Sequence, residues 1–308
     1  MKLLLLGANG QVGRELRSSL APLGEVVFAS RDGNLGDGIE GEIADLAEPE
    51  SLIALFDRVQ PDVIVNAAAY TAVDRAEDFE ALATTINADA VQVMGTWAAR
   101  TQALVVHYST DYVFNGQGNQ PYDEDAPTNP IGAYGRSKLA GELALRISGA
   151  PHLIFRTAWV YASHGKNFLI TMLKLGEERN ELRVVADQIG VPTPAGLISF
   201  ATAHAIDRWG HASAEARSGI EGTYHLVSSG QTSWHGFAEA ILAKAATEGL
   251  ITRQPVVSAI STAEFPTRAT RPAYSVLDNT LFQQTFHVAL PAWEIGLDDV
   301  LLALNSRH

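Results

Sequence analysis

The sequence Gly7-Ala8-Asn9-Gly10-Gln11-Val12-Gly13 follows the apolar run Lys2–Leu6 and leads into a segment with helical periodicity. Gly7 permits a tight turn, Gly10 lets the backbone approach a pyrophosphate, and Gly13 allows close packing of helix on strand. Free N–H groups at the helix N-terminus favour an anion. The alternative is a plain glycine-rich turn. Because a strand precedes this turn and a helix follows it, we predict a dinucleotide-binding turn.

Short apolar runs alternate with longer amphipathic segments in the first half of the chain. The runs are rich in Val, Leu and Ile without period-two alternation, which predicts strands buried on both faces: Lys2–Leu6, Glu25–Ala29, Asp62–Asn66, Ala103–Tyr108 and His152–Arg156. The amphipathic segments predict helices: Gln11–Ser19, Glu50–Val59, Glu80–Arg100 and Tyr134–Ile147. Strand–helix–strand alternation requires a parallel sheet with right-handed crossovers. The predicted fold class is therefore α/β, a Rossmann-type doubly wound parallel sheet.

The second half of the chain mixes short strands and helices with proline-rich turns. The predicted strands are Leu182–Val185, Thr223–Val227 and Val256–Ile260. The predicted helices are Asn167–Glu177, Leu197–Arg208, Ser233–Glu248 and Asp298–Asn305. We therefore predict a dinucleotide-binding domain over residues 1–156 and a smaller α+β substrate lobe over 157–308, with residues 195–228 as a segment that returns to the first domain.

Composition and charge exclude several classes of protein. The chain has 308 residues, a formal net charge of −13 and no cysteine. It therefore has no disulfides, thiolate metal site or cysteine nucleophile. Its acidity argues against nucleic acid or an anionic membrane as the main partner. Because Gly7 ends the first apolar run early and no later run could span a membrane, we expect a cytoplasmic protein.

The end of the second strand sets the expected cofactor. Where an acidic residue would bind the ribose hydroxyls, the chain has Ser30-Arg31-Asp32. A small hydroxyl followed by Arg suits a 2′-phosphate, so NADPH is preferred over NADH, which stays possible because of Asp32. Asp45 and Leu46 follow a third short strand and are placed to touch the adenine edge. An equally supported alternative is that Asp45 caps the following helix.

A second motif is Tyr134-Gly135-Arg136-Ser137-Lys138 at the start of a predicted helix. The i to i+4 spacing puts Tyr134 and Lys138 on one face, where an ammonium group can stabilise a phenolate. Thr110 ends the preceding strand at the edge where open α/β sheets place ligands, and can bond the carbonyl oxygen that Tyr134 would protonate. Together with the glycine-rich turn, these residues indicate hydride transfer to or from a carbonyl.

The chain resembles the extended short-chain dehydrogenase/reductases. The resemblance is carried by the glycine-rich turn, Asn66-Ala67-Ala68-Ala69, Ile86-Asn87, Tyr108–Phe114 and Tyr134–Lys138. Four longer runs are similar to the dTDP-4-dehydrorhamnose reductase family: Ile64–Asp74, His107–Phe114, Phe155–Tyr161 and Asp187–Thr193. The likeness spans essentially the whole chain and implies reduction of the 4-keto group of dTDP-4-dehydro-β-L-rhamnose.

The same resemblance implies residue roles. Tyr134 would be the proton donor, Lys138 would hold the nicotinamide ribose, and Thr110 would adjust the tyrosine and, with Asp111, contact the sugar. The expected cofactor contacts are Gly10, Gln11 and Val12 at the pyrophosphate, Asp45 and Leu46 at the adenine, and Ala69, Tyr70, Thr71 and Tyr108 on the inner side. Trp159 would pack against the sugar or nucleotide, with ordinary core packing as its alternative. Trp234, Arg268 and Arg271 are candidates for base or diphosphate contacts, with packing or surface charge as equal alternatives.

One departure from the family concerns metal. Some members dimerise through a metal held by carboxylates, one of them three residues after the Pro-Thr of the Val-Pro-Thr run. Here Glu15 is present, but Gly196 stands at the other position. No protein metal ligand is therefore predicted, a metal-bridged dimer is not expected, the requirement for Mg²⁺ stays open, and either a monomer or a homodimer is compatible with the sequence.

The sequence bears on four alternative functions. Epimerase–reductases of the same superfamily need a Cys/His pair, which a cysteine-free chain cannot supply. Sugar-nucleotide 4,6-dehydratases follow the strand-end Thr with Asp-Glu, whereas Asp111-Tyr112 follow Thr110 here. A non-catalytic nucleotide-binding regulator of the same fold would not need Thr110, Tyr134 and Lys138 together. A reductase of another 4-keto nucleotide sugar stays open.

Overall fold

The computed structural model describes residues 1–36 and 38–306 and is built around one parallel sheet of seven strands. In chain order the strands are β1 Lys2–Leu6, β2 Glu25–Ser30, β3 Glu42–Ile43, β4 Val63–Asn66, β5 Leu104–Thr110 and β6 His152–Thr157, joined later by β11 Gly222–His225. Their spatial order is β11-β6-β5-β4-β1-β2-β3. This reversal between β1 and β4 is that of a doubly wound dinucleotide-binding sheet, so the predicted fold class is confirmed.

Helices cover both faces of the sheet. The helices are α1 Gln11–Leu20, α2 Ser51–Val59, α3 Val73–Ala76, α4 Glu80–Thr84, α5 Ala90–Thr101, α6 Ala133–Ile147, α7 Phe168–Glu178, α8 Ala195–His211, α9 Ala214–Ser218, α10 Trp234–Thr247, α11 Thr280–Phe286 and α12 Trp293–Asn305. In β1, Leu3 and Leu5 face one apolar layer while Leu4 and Leu6 face the other. All four leucines are fully buried, which explains the absence of polar alternation in this strand.

The predicted continuous helix Glu80–Arg100 is wrong in one respect. A π-helical turn, Thr85–Asp89, separates α4 from α5. The wider turn lets Asn87 reach another segment: its Oδ1 accepts from the Tyr70 N–H at 2.8 Å, and its Nδ2 donates to the Tyr70 carbonyl at 3.1 Å. Such π-turns often occur beside functional sites, and this one fixes the loop after β4.

A smaller set of elements packs beyond the carboxyl edge of the sheet. It contains β7 Val160–Tyr161, β8 Glu181–Val185, β9 Ile189–Gly190, β10 Thr193–Pro194, β12 Thr232–Ser233 and β13 Val256–Ile260, with α7, α10 and α12. The strands pair two by two, for example β8 with β13. Between these elements in the sequence, α8 packs on α1 and β11 pairs with β6. The last two residues of the predicted lobe, 307–308, lie outside the described residues.

Within the described part of the chain, no helix combines the length and apolar character needed to cross a bilayer.

Candidate active site

The glycine-rich turn connects β1 to α1 by close backbone contacts. Gly7 has a φ of +75°, which favours glycine, and its carbonyl accepts from the Gly10 N–H at 2.9 Å. A Cβ on Gly13 would lie 2.0 Å from the Gly7 carbonyl oxygen. Gly10 is the N-cap of α1 and makes no side-chain cap. The first turn of α1 is therefore open to an anionic group from outside the helix.

This turn opens onto a cleft of about 650 Å³ at the carboxyl edge of the sheet. That volume is within the usual range for ligand sites, about 300–1,000 Å³. The predicted residues that line it are Gly7, Gly10, Gln11, Val12, Arg31, Asp45, Leu46, Ala69, Tyr70, Thr71, Tyr108, Tyr134 and Lys138. The predicted residues outside its lining are Gly13, Ser30, Thr110, Asp111, Trp159 and Arg271. The structure thus brings both sequence motifs to one cavity.

The end of the cleft beside β2 is bordered by Arg31 and Asp32. Ser30 is fully buried, and its hydroxyl donates to the Asn34 carbonyl at 3.0 Å. Its hydroxyl therefore organises the loop after β2. Asp45 lines the cleft and also caps a turn, since its Oδ1 accepts from the Ala47 N–H at 2.9 Å. Helix α2 begins later, so Asp45 is not a helix cap.

Tyr134 lies in the first turn of α6, beside the carboxyl end of β5. Burial raises the pKa of Tyr134 to about 12, although a hydrogen bond with Thr110 opposes this change. Thr110 also accepts from the Tyr112 N–H at 3.2 Å and donates to Asp111 Oδ1 at 3.1 Å. Although Thr110 does not line the cleft, it touches the phenol that does. The phenol is protonated at neutral pH and can donate a proton into the cleft.

Lys138 lies one turn further along α6 and is almost completely buried. Its Nζ donates to the Tyr108 carbonyl at 2.6 Å and lies 3.2 Å from His107 Nε2. Burial lowers the pKa of Lys138 to about 8, and the charge of Glu142 opposes that effect. The amine is therefore fixed at the end of β5, and its pKa is closer to neutral pH than that of an exposed lysine.

Three buried polar atoms beside the cleft have no hydrogen-bond partner: Tyr70 Oη, Asp111 Oδ2 and Thr157 Oγ1. Together they make up half of the six such side-chain atoms found in the described residues. Burial raises the pKa of Asp111 to about 6. Buried polar groups in folded proteins are almost always paired, so this concentration indicates that a ligand completes the site.

Trp159 does not line the cleft and packs in the smaller lobe. Its φ is +45°, and its ring stacks on Trp234 with 3.6 Å between ring centroids. A Cβ on Gly190 would lie 2.6 Å from the Trp159 ring, so the glycine makes room for it. Trp234 also contacts Phe168 at 4.7 Å between centroids. In this structure Trp234 therefore stacks on the Trp159 side chain, which corresponds to the packing alternative given from the sequence.

The two arginines named from the sequence are ion-paired. Arg271 donates to Asp74 at 2.9 Å and is half-buried, whereas Arg268 pairs with Asp78 on an exposed surface. Both pairs connect the segment after β13 to the region around α3. Glu15 pairs with His164 at 2.8 Å. Among residues 1–36 and 38–306 there is no cluster of three or more His, Asp or Glu residues that could hold a metal ion.

Sequence reasoning missed part of the cleft wall. The missed residues are Asn9, Ala44, Ala67, Ala68, Ala72, Ile86, Ser109, Thr157 and Val160. Several directly follow β4 or end β5 and β6, so the rule that ligands bind at strand carboxyl ends would have identified them. Ile86 comes from the π-helical turn, for which the sequence carries no signal.

The comparisons with known proteins agree with this geometry. Residues 1–306 match the family described as RmlD substrate binding domain. The dTDP-4-dehydrorhamnose reductase of Burkholderia thailandensis is 48% identical over 96% of this chain and 97% of the relative, and that of Salmonella typhimurium is 43% identical over 98% and 97%. A crystal structure of dTDP-4-dehydrorhamnose reductase from Bacillus anthracis in complex with NADP has a TM-score of 0.85 and 33% identity over 98% of this chain and 99% of that one. The resemblance inferred from the sequence is confirmed: this chain belongs to the dTDP-4-dehydrorhamnose reductase family.

Proposed function

We propose that this chain reduces the 4-keto group of dTDP-4-dehydro-β-L-rhamnose to the hydroxyl of dTDP-β-L-rhamnose, with NADPH as the reductant. The observation that carries this proposal is the position of Tyr134 and Lys138, which line the same cleft as the glycine-rich turn. A cavity with a dinucleotide turn at one end and a buried phenol–amine pair at the other suits carbonyl reduction. Close relatives over nearly the full chain carry the name of this activity.

The cleft fits a dinucleotide in shape and chemistry. The open first turn of α1 suits the pyrophosphate, and any side chain on Gly7 would clash with the Ala68 backbone at 2.7 Å. Arg31 borders the adenosine end and provides a cation for a 2′-phosphate. Ser30 stabilises the loop at this end, since its hydroxyl donates to the Asn34 carbonyl. When bound, the reduced nicotinamide supplies the hydride.

The proton comes from Tyr134. Its raised pKa keeps the phenol protonated before reaction, and Thr110 holds its hydroxyl by a hydrogen bond. As the 4-keto oxygen gains negative charge, Tyr134 donates its proton to that oxygen. The phenolate that remains is stabilised by a nearby ammonium group, the role proposed for Lys138.

The sugar nucleotide occupies the side of the cleft next to the smaller lobe. Asp111 Oδ2 and Thr157 Oγ1 are buried acceptor or donor atoms that a hydroxylated ligand can pair. Trp159 provides an aromatic face for the sugar or base, and Arg271 provides a charge near the diphosphate. We accordingly propose that residues 1–156, with 195–228, bind the cofactor and that the remaining segments mainly bind the substrate.

The test of this function is a substrate panel. Purified protein is given NADPH and, one at a time, 4-keto nucleotide sugars that differ in base and sugar, while NADPH absorbance is followed. The proposal predicts fastest oxidation with dTDP-4-dehydro-β-L-rhamnose and a product that co-migrates with dTDP-β-L-rhamnose. Turnover of another 4-keto nucleotide sugar alone would show that the chain catalyses that reduction instead. Binding without any turnover would favour a regulatory role.

The cofactor preference has its own test. We expect wild-type kcat/KM to be higher with NADPH than with NADH, and Arg31→Ala to lose most of that preference because the 2′-phosphate loses its cation. The exposed Arg179, which lies outside the cleft lining, gives a matched control in Arg179→Ala. An unchanged preference in Arg31→Ala would refute the role of Arg31.

A further inference from the structure

His107 is a buried imidazole in the strand that ends at the active site. It lies within β5 and has no exposed surface. Its Nδ1 is 3.1 Å from Asn66 Nδ2, and its Nε2 is 3.2 Å from Lys138 Nζ. His107 has no role in the proton transfer from Tyr134 described above. It nevertheless contacts Lys138, which that transfer requires.

The orientation of the Asn66 amide assigns the tautomer of His107. The Asn66 Oδ1 accepts from the Ala68 N–H at 3.2 Å, which leaves the Nδ2 amide group facing His107. Because Nδ2 can only donate, His107 Nδ1 accepts. A neutral imidazole that accepts at Nδ1 carries its proton on Nε2. Burial lowers the pKa of His107 well below its usual value, so the ring is neutral.

The Nε2–H group then faces Lys138 Nζ. An ammonium has only donors, so an Nε2–H and an ammonium at this distance oppose each other. An uncharged amine satisfies both neighbours: one N–H donates to the Tyr108 carbonyl at 2.6 Å, and the lone pair accepts from His107. We propose that His107 is a positioning residue that controls the charge of Lys138, because Asn66 locks the imidazole as an Nε2–H donor toward the amine.

The other charged groups around Lys138 act differently. Glu142, on the next turn of α6, favours the ammonium form, but its carboxylate is shared with Arg156 at 2.8 Å and Arg146 at 2.6 Å. Tyr134, on the preceding turn, is protonated at neutral pH. Asp111 follows β5 and acts on Tyr134. His107 is thus the neighbour that favours an uncharged Lys138 by hydrogen bonding.

If the chain carries out the proposed reaction, on which this step rests, His107 also affects how activity depends on pH. The ammonium form of Lys138 stabilises the Tyr134 phenolate left after proton donation, so activity declines as Lys138 loses its proton. By favouring the amine, His107 moves that decline toward neutral pH. Removing the Nε2–H donor moves it toward higher pH.

The first test needs no activity and no substitution in the protein that is measured. Long-range ¹H–¹⁵N spectra of wild-type protein with labelled histidine distinguish the two neutral tautomers, and a His107→Gln sample identifies the His107 signals. In the same protein the ε-carbon of Lys138, identified with Lys138→Arg, is titrated by NMR. The inference predicts the Nε2–H tautomer and a Lys138 midpoint well below that of an exposed lysine. An Nδ1–H tautomer or an ordinary lysine midpoint would overturn it.

The second test reverses the tautomer. In Asn66→Asp the carboxylate accepts from both Ala68 N–H and His107 Nδ1–H, so Nε2 becomes an acceptor for the ammonium. Asn87→Asp is the matched control, since Asn87 is also a buried asparagine near α6 but bonds Tyr70 and Ser137. We expect the Lys138 midpoint to rise by about one pH unit more in Asn66→Asp than in Asn87→Asp. An equal rise would mean that charge alone acts, and would refute the control by His107. If the NMR results hold but no nucleotide sugar is reduced, the proposed function fails and the control of the charge of Lys138 stands.

Discussion

The cleft and the smaller lobe beside it are built differently, and we call the two regions the sheet wall and the lobe wall. The sheet wall consists of the glycine-rich turn 7–13, the carboxyl ends of β4 and β5, and the first turns of α6, and close backbone contacts and buried hydrogen bonds hold it. The lobe wall is the group Trp159, Trp234 and Arg271, which lies outside the cleft lining and is held by ring stacking and a partly exposed ion pair. The groups proposed to react belong to the sheet wall, where position is most strongly fixed. The lobe wall can vary with the substrate without disturbing them.

The largest effect is expected on the sheet wall, in Tyr134→Phe. This variant keeps the ring and its edge contact with Tyr112 but loses the proton donor. We expect kcat to fall by about a thousandfold, within the usual range for a general acid, while the Kd for NADPH changes less than about threefold. Steady-state kinetics and fluorescence titration measure the two quantities. Normal turnover would remove Tyr134 from the proposed mechanism.

Gly13→Ala tests the backbone packing of the same wall. The added Cβ would lie 2.0 Å from the Gly7 carbonyl oxygen, so strand and helix must separate. We expect a loss of about 3 kcal/mol in the free energy of unfolding and weaker NADPH binding. Gly196→Ala, in α8, is the control, since nothing lies within 4 Å of its Cβ and alanine favours a helix. Urea unfolding of both variants should give opposite signs, and equal stability would contradict the packing argument.

Asp111 tests whether a buried carboxylate destabilises the folded protein. Burial raises the pKa of Asp111 to about 6 in the folded state, above the usual 3.8 of this side chain, so the folded state binds more protons between these values. The stability contributed by the protonated form is therefore lost as pH rises from about 4 to 6. We expect Asp111→Asn to lack this decline and to be about 2 kcal/mol more stable than wild type at pH 7. Parallel pH dependence of unfolding in both proteins would refute the raised pKa.

The two walls also differ in how far the sequence predicts them. The fold and the sheet wall follow from local rules: apolar runs, a glycine spacing with fixed steric meaning, and an i to i+4 Tyr–Lys pair. Four of the predicted residues outside the cleft lining, Thr110, Asp111, Trp159 and Arg271, depend on tertiary packing. Trp159 is held by Gly190 and Trp234 from distant parts of the chain, and no local pattern indicates that contact. The π-turn Thr85–Asp89 likewise places Asn87 against Tyr70, a contact between segments that no local pattern indicates.

A moderate effect is expected on the lobe wall from Trp234→Ala. Without its stacking partner, the Trp159 ring is free to leave a backbone conformation that is unfavourable for a non-glycine residue. We expect KM for the nucleotide sugar to rise about tenfold and kcat to change less than about threefold. Trp234→Phe should recover much of the affinity because a ring again covers Trp159. A large fall in kcat with constant KM would place Trp234 in the chemical step and end the contrast between the walls.

The smallest effect is expected from the ion pairs that connect the segment after β13 to the region around α3. Arg268 and Asp78 are exposed, and such pairs typically contribute less than about 1 kcal/mol because water and salt screen them. Arg268→Ala should therefore leave stability and KM almost unchanged, whereas Arg271→Ala, which removes a half-buried cation beside Tyr112, should raise KM in a salt-dependent way. Kinetics at low and high ionic strength compare the two variants. If Arg268→Ala proved the more harmful, the exposed arginine would be the diphosphate contact and the lobe wall would extend further toward solvent.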